Sequence, residues 1–324
     1  MKKLITLALA LVMALNVLAF GSMAEEKQMR VACILSGPIS DMSWNYTAHQ
    51  GMLKIEAMGA EIAYQENVEN SALPDCINTY ASDGFDMIIL STNSYEEASL
   101  PIVQDYPETQ FIIINGQTTA GNVTSYAVAD EDQGFMQGFI AATLSKTGKV
   151  GFLGSMEITP ILNGSIGFEQ GAKFANENVE VNSVMLGTFT DVAAAKETTT
   201  AMIANGVDAV APMCDAAALG VVEAAEAGNI VAVASGEGQE TIAPHAVPVA
   251  VIKDTSILYA KVYEDFLAGK LTGDTGVLKL GAADGIVFLS DWYEAGNALS
   301  DEVKAQIVAA YEKLVSGEVA VKLG

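Results

Sequence analysis

From Arg30 onward the chain repeats one rhythm, in which a short, nearly unbroken apolar run is followed by a longer segment with helical spacing. The runs are RVACILS (30–36), DMIILST (86–92), QFIIIN (110–115) and VTSYAVA (123–129), then KVGFLGS (149–155), VNSVMLGTF (181–189), DAVAPMC (208–214) and IVAVASG (230–236). Between them, Phe135, Phe139 and Ala142, or Val192 and Ala195 with Ala201 and Met202, recur at intervals that place them on one side of a helix. Strands that are apolar at almost every position are covered on both faces, as in a parallel sheet whose crossovers are helices. The pattern therefore predicts an α/β fold of doubly wound parallel sheets. It restarts at SKTGKVGFLGS (145–155), where a Lys-Thr-Gly-Lys turn precedes a new strand, and a unit boundary is expected there.

In open α/β sheets, ligands bind beyond the carboxyl ends of the strands. The polar residues in those places are Ser36–Asn45, Ser91–Asn93, Asn115, Phe189–Asp191, Cys214 with Asp215, and Ser235–Gln239. The stretch SDMSWN (40–45) has two readings. Ser40 or Asp41 makes a good N-cap, accepting hydrogen bonds from free amides of the first turn. Trp44, Ala48, Met52 and Ile55 then form one buried stripe. Alternatively, Trp44 stacks on a flat ring, worth ~1–3 kcal/mol per stacked base, with Asn45 meeting the ring edge as amides meet adenine. Phe189 is either a core residue or a second stacking face. Asp191 and Asp215 are either caps or the floor of a pocket, and Lys253 either pairs with a carboxylate in the cleft or lies on the surface. The loop SGEGQET (235–241) lacks both the dinucleotide fingerprint and the P-loop Lys.

Composition narrows the chemistry. Of 324 residues 51% are apolar, enough for one large or two moderate cores. Lys2 and Lys3 precede an apolar run from Leu4 to Phe20 and the small residues Ser22-Met23-Ala24, so residues 1–24 are expected to be a secretory signal peptide. The run is short for a membrane-spanning helix of roughly 20 apolar residues, and no Cys follows it to accept a lipid. The formal charge of -24 becomes more negative without the leader, which disfavours nucleic acid and anionic lipid as partners. Three cysteines at unpaired spacing and two histidines form no zinc motif and no disulfide framework. GSMEI and GSIGF do not complete the Gly-x-Ser-x-Gly elbow of an α/β hydrolase. No metal, cofactor or catalytic residue is expected.

The segments GPISDMSWN, NVTSYAVADEDQGFMQGFIAATLSKTGKVGFLG, GTFTD and GVDAVAPMCDAAALGVVEAAEAGN, with APHAV and ADGIVFLSDW further on, resemble the basic membrane protein family, PnrA-like substrate-binding proteins of ABC importers. The resemblance runs from about residue 30 to the C-terminus. It implies the type I periplasmic binding fold, two lobes joined by three hinge crossings and closing on a ligand. The implied lobes are 25–146 with 251–283, and 147–250 with 284–324. It further implies an extracytoplasmic, monomeric, non-enzymatic receptor that takes a purine base such as adenine, or a nucleoside, and delivers it to a permease. The family's site residues fall on Asp41, Trp44, Asn45, Phe189, Asp191, Asp215 and Lys253, and Ser91, Asn115 and Glu237 complete the expected set. Two departures weaken a grip on ribose: Gly236, Glu237, Gly238 and Gln239 stand where nucleoside-binding members are Asp-rich, and Asn115 stands in place of Asp. The same fold could hold another heterocycle or a sugar, or serve as a sensor lobe.

Overall fold

The computed structural model describes residues 27–41, 44–273 and 275–324; the leader expected over 1–24 lies outside the described residues, and so does the side chain of Asp41. Two parallel sheets organise the chain. The first has the order β11-β5-β4-β3-β1-β2. Its strands are β1 (Arg30–Ile34), β2 (Glu61–Gln65), β3 (Met87–Leu90), β4 (Gln110–Ile114), β5 (Val123–Val128) and, from much later in the chain, β11 (Leu278–Leu280). Alternation along these strands feeds two cores. Val31, Cys33, Ile89 and Ile112 pack with Met52 of α1 (Trp44–Ala57) and with Leu258 and Tyr259 of α8 (Thr255–Leu267). Ala32, Ile34, Ile88 and Ile113 point to the opposite face, against α2 (Leu73–Ser82) and α3 (Glu96–Val103). Both faces of the central strands are dry, so β3 and most of β1 and β4 are apolar at successive positions.

The second sheet has the order β7-β6-β8-β9, from β6 (Lys149–Gly154), β7 (Glu180–Met185), β8 (Ala209–Met213) and β9 (Val231–Ala232). A parallel bridge from Ala234 to Ala250 leads to β10 (Val251–Lys253). β10 in turn pairs antiparallel with β12 (Val287–Leu289). One face carries α4 (Asp130–Leu144), α5 (Thr159–Ala175) and α10 (Asp301–Val315), through Phe135, Phe139, Phe168, Ile307 and Leu314. The other carries α6 (Val192–Ala204) and α7 (Ala218–Gly228), through Ala195, Met202, Val221 and Val222. A short α9 (Glu294–Asn297) precedes α10.

α4 and α5 approach backbone to backbone. A Cβ on Gly134 would lie 1.9 Å from the Gly164 carbonyl oxygen, and one on Gly171 would lie 1.9 Å from that of Phe135. Only glycine permits this approach.

The chain changes cores at Ala129, between β5 and α4, ahead of the turn at 145–148 where the sequence pattern restarts. That turn instead joins α4 to β6 within the second core. It is held by Asp208, whose carboxylate accepts from the Lys146 and Thr147 amides at 2.7 and 2.9 Å. α4 is buried around most of its circumference, polar residues included, so its periodicity carries no sign of which sheet it covers. The other crossings run from β10 into α8 at Lys253–Thr255 and from β11 into β12 through the turn Ala282–Asp284. Ala201, placed by its spacing on the buried side of α6, is exposed, and Thr199 is buried in that row.

Candidate functional site

The carboxyl ends of both sheets carry the polar residues singled out by the strand pattern, and backbone geometry marks two of them. Asn115 (φ 59°) and Asp215 (φ 47°) adopt the left-handed conformation directly after β4 and just past β8. Asn and Asp tolerate this region better than other side chains with a Cβ, and such residues cluster at binding sites.

In the first sheet, Trp44 opens α1 and donates its indole N–H to the Ser91 carbonyl at 2.8 Å. The ring is thereby fixed to the end of β3 with its donor consumed, and it is half-buried against the core that holds Met52 and Tyr259. Asn45 is 7% exposed, and its Oδ1 accepts from the Gly37 amide at 3.1 Å. A Cβ at Gly37 would sit 2.7 Å from Asn45 Nδ2. The amide therefore braces the loop that leaves β1, which its position beside an indole does not reveal. Asp41 ends the single 3-10 turn Ile39–Asp41 at the head of α1. Ser91 is fully buried and its hydroxyl has no hydrogen-bond partner among the described residues. Asn115 Oδ1 accepts from the Val128 amide at 3.0 Å, tying β4 to the end of β5.

In the second sheet, Phe189 follows β7 and is 37% exposed, an aromatic ring outside the buried clusters. Its carbonyl accepts from the Ala217 amide at 3.0 Å, which sets the loop against the turn after β8. Asp191 is the N-cap of α6, with Oδ1 accepting from the Ala194 amide at 2.9 Å. Asp215 is exposed and begins the turn that leads into α7. Cys214, beside it, is buried, and burial pushes its thiol up to about 12, so it is an inert core residue. Glu237 is exposed and lies with Gly238, Glu240, Phe288, Asp291 and Tyr293 along an open groove of about 700 Å³ beside β12.

Lys253, at the end of β10, makes a 2.5 Å ion pair with Asp130, which is 2% exposed. Burial pushes the Asp130 carboxyl upward, and the Lys253 ammonium opposes it. Sequence reasoning left this partner unnamed. Its signal was the run Asp130-Glu131-Asp132 directly after an apolar strand. Two neighbours on α4 lock the same region: Gln133 Nε2 donates to the Val251 carbonyl at 2.8 Å, and Gln137 Nε2 to that of Pro212 at 3.0 Å. Thr255 Oγ1 donates to Thr47 Oγ1 at 2.7 Å, joining α8 to α1. Lys253 is therefore anchored where the chain passes from β10 into α8, with its charge neutralised. Among the described residues no His, Cys, Asp and Glu group has metal-site geometry, and no helix is long and apolar enough to cross a membrane.

Known proteins resemble this arrangement along most of its length. A solute-binding protein of an ABC transporter system from Conexibacter woesei superposes with a TM-score of 0.73 at 21% identity, covering 91% of this chain and 98% of that one. The transcriptional activator protein med of Bacillus subtilis is 26% identical over 267 residues, 80% of this chain and 83% of its own. A purine-binding protein of Brucella abortus is 25% identical over 302 residues, 92% of this chain and 84% of its own. These likenesses agree with the two-sheet architecture of type I periplasmic binding proteins. Residues 28–323 match the family of ABC transporter substrate-binding proteins described as PnrA-like (Bmp), and the chain belongs to that family.

Proposed function

We propose that this protein captures a purine base, or less tightly its nucleoside, between the two sheets and hands it to the permease of an ABC importer. It does so outside the cytoplasmic membrane, as a monomer released from the leader 1–24. The observation that carries the reading is the pair of aromatic rings beyond the strand ends of different sheets. Trp44 is held by its N–H to Ser91 and half-buried against one core, and Phe189 is exposed outside the cores. Hinge closure of two lobes would bring such rings onto the two faces of one planar ligand. Asp215, exposed after β8, and Asp41 supply carboxylates, which accept hydrogen bonds only and so favour ring N–H and amino groups. The name of the Brucella relative supports a purine. Against ribose, Asn115 Oδ1 is occupied by the Val128 amide, and Glu237 lines the groove beside β12.

Mass spectrometry of small molecules released on denaturing the purified protein should show a purine. Calorimetric titration should then rank adenine above adenosine and both above a pentose. Release of a sugar, with no heat from any purine, would refute the purine reading and leave the receptor fold intact.

A further inference from the structure

The three hinge crossings meet at the first turn of α4. Asp130 pairs with Lys253 on the second crossing. Glu131, 6% exposed, pairs with Lys279 of β11 at 2.7 Å, and its other oxygen is buried without a hydrogen-bond partner among the described residues. Asp132 Oδ2 accepts from the Ala282 amide of the third crossing at 2.9 Å. The fit there is close: a Cβ on Gly281 would stand 2.3 Å from that same oxygen. Three consecutive carboxylates thus reach both other crossings, and a rotation of one lobe against the other has to turn about them.

We propose that this acidic turn is a proton-operated latch on the hinge, in which acid favours the lobe arrangement described above and neutral pH loosens it. The inference rests on the hinge of the fold, not on which ligand the cleft takes. Asp132 is the titrating element. It faces Glu131 on its own helix, Lys279 on β11, the Ala282 amide and Asp284 on the third crossing, and Tyr311 on α10. Burial pushes its carboxyl up to about 6; the Ala282 amide opposes this, the Glu131 charge adds to it, and Lys279 opposes it more weakly.

The sign follows from linkage. A hydrated Asp132 has the ordinary value of 3.8. Between that value and 6, the described arrangement, which shields Asp132 in part, holds a proton that a hinge opening it to water would release. The buried arrangement is therefore favoured as pH falls, and it loses ground as pH rises through 6. Full rehydration of the group would change the ratio of the two arrangements by roughly a hundredfold.

Small-angle X-ray scattering of ligand-free protein, titrated from about pH 7.5 to about pH 5, tests this. The wild-type radius of gyration should be constant at neutral pH and change as pH falls below about 6. Asp132→Asn should keep the acid-form value throughout. Glu131→Gln, which keeps an oxygen for Lys279 and removes the neighbouring charge, should lower the midpoint and carries the test should Asp132→Asn fail to fold. A flat wild-type profile, or an unshifted midpoint in Glu131→Gln, would overturn the latch, and neither result bears on purine affinity.

Discussion

Replacing Phe189 by alanine separates stacking from packing, because the two roles predict different magnitudes in different assays. The ring is 37% exposed and lies outside the buried clusters. The contact that holds its loop, Ala217 N–H to the Phe189 carbonyl at 3.0 Å, is made by the backbone and survives the change. Truncating a fully buried Phe costs about 3–5 kcal/mol; with more than a third of this residue in solvent and no core cluster to leave, the expected stability loss is below about 2 kcal/mol. If the ring stacks on a purine, removing it takes away ~1–3 kcal/mol of binding, a loss of roughly 5- to 150-fold in Kd. Titration calorimetry with adenine measures the second quantity, and differential scanning calorimetry of the ligand-free protein measures the first. Unchanged adenine affinity would refute the stacking role. A stability loss at the level of a buried Phe would show that the ring is part of the core.

Other changes probe the supports of the cleft. Lys253→Met leaves the buried Asp130 without its counter-ion, and should cost up to about 3–5 kcal/mol in chemical denaturation, less in acid where the carboxyl takes up a proton; Asp130→Asn in the same background should restore much of it. Asp191→Ala removes the cap of α6 and should cost about 1 kcal/mol in urea unfolding without moving ligand affinity; a tenfold weaker Kd would make Asp191 a ligand contact instead. Gly171→Ala forces α5 away from the Phe135 carbonyl and should cost at least as much as ordinary overpacking, about 1–3 kcal/mol, seen as a lower melting temperature.

The eight apolar runs of the sequence all became strands, most of them because burial on both faces leaves few polar positions; the edge strand β7 is the exception. Two of the strands it did not announce are sheet edges. β2 is an edge strand, and all five of its residues, EIAYQ, keep some exposure. β11 is the opposite edge, three residues long with Lys279 at its centre. Periodicity also could not assign α4 to a sheet, since Asp130, Glu131 and Gln133 are as buried as Phe135. The strand-end rule named candidate residues, but composition does not say where a side chain spends its hydrogen bonds. Asn45 and Asp191 read equally well as ligand contacts or local braces, and the geometry shows both engaged with the backbone of their own loops. The partner of Lys253 lies 123 residues away, a distance that no local pattern encodes.

The glycine seam between α4 and α5 has a mechanical meaning beyond close packing. With carbonyl oxygens of each helix seated against the other's Cα atoms, and Phe174 of α5 against Phe135 and Phe139 of α4, the two helices are joined along their length as one unit on the second sheet. The first residue of that unit is where the chain leaves β5, so the carboxylates of Asp130, Glu131 and Asp132 stand at its root, next to the other places where the chain passes between the sheets.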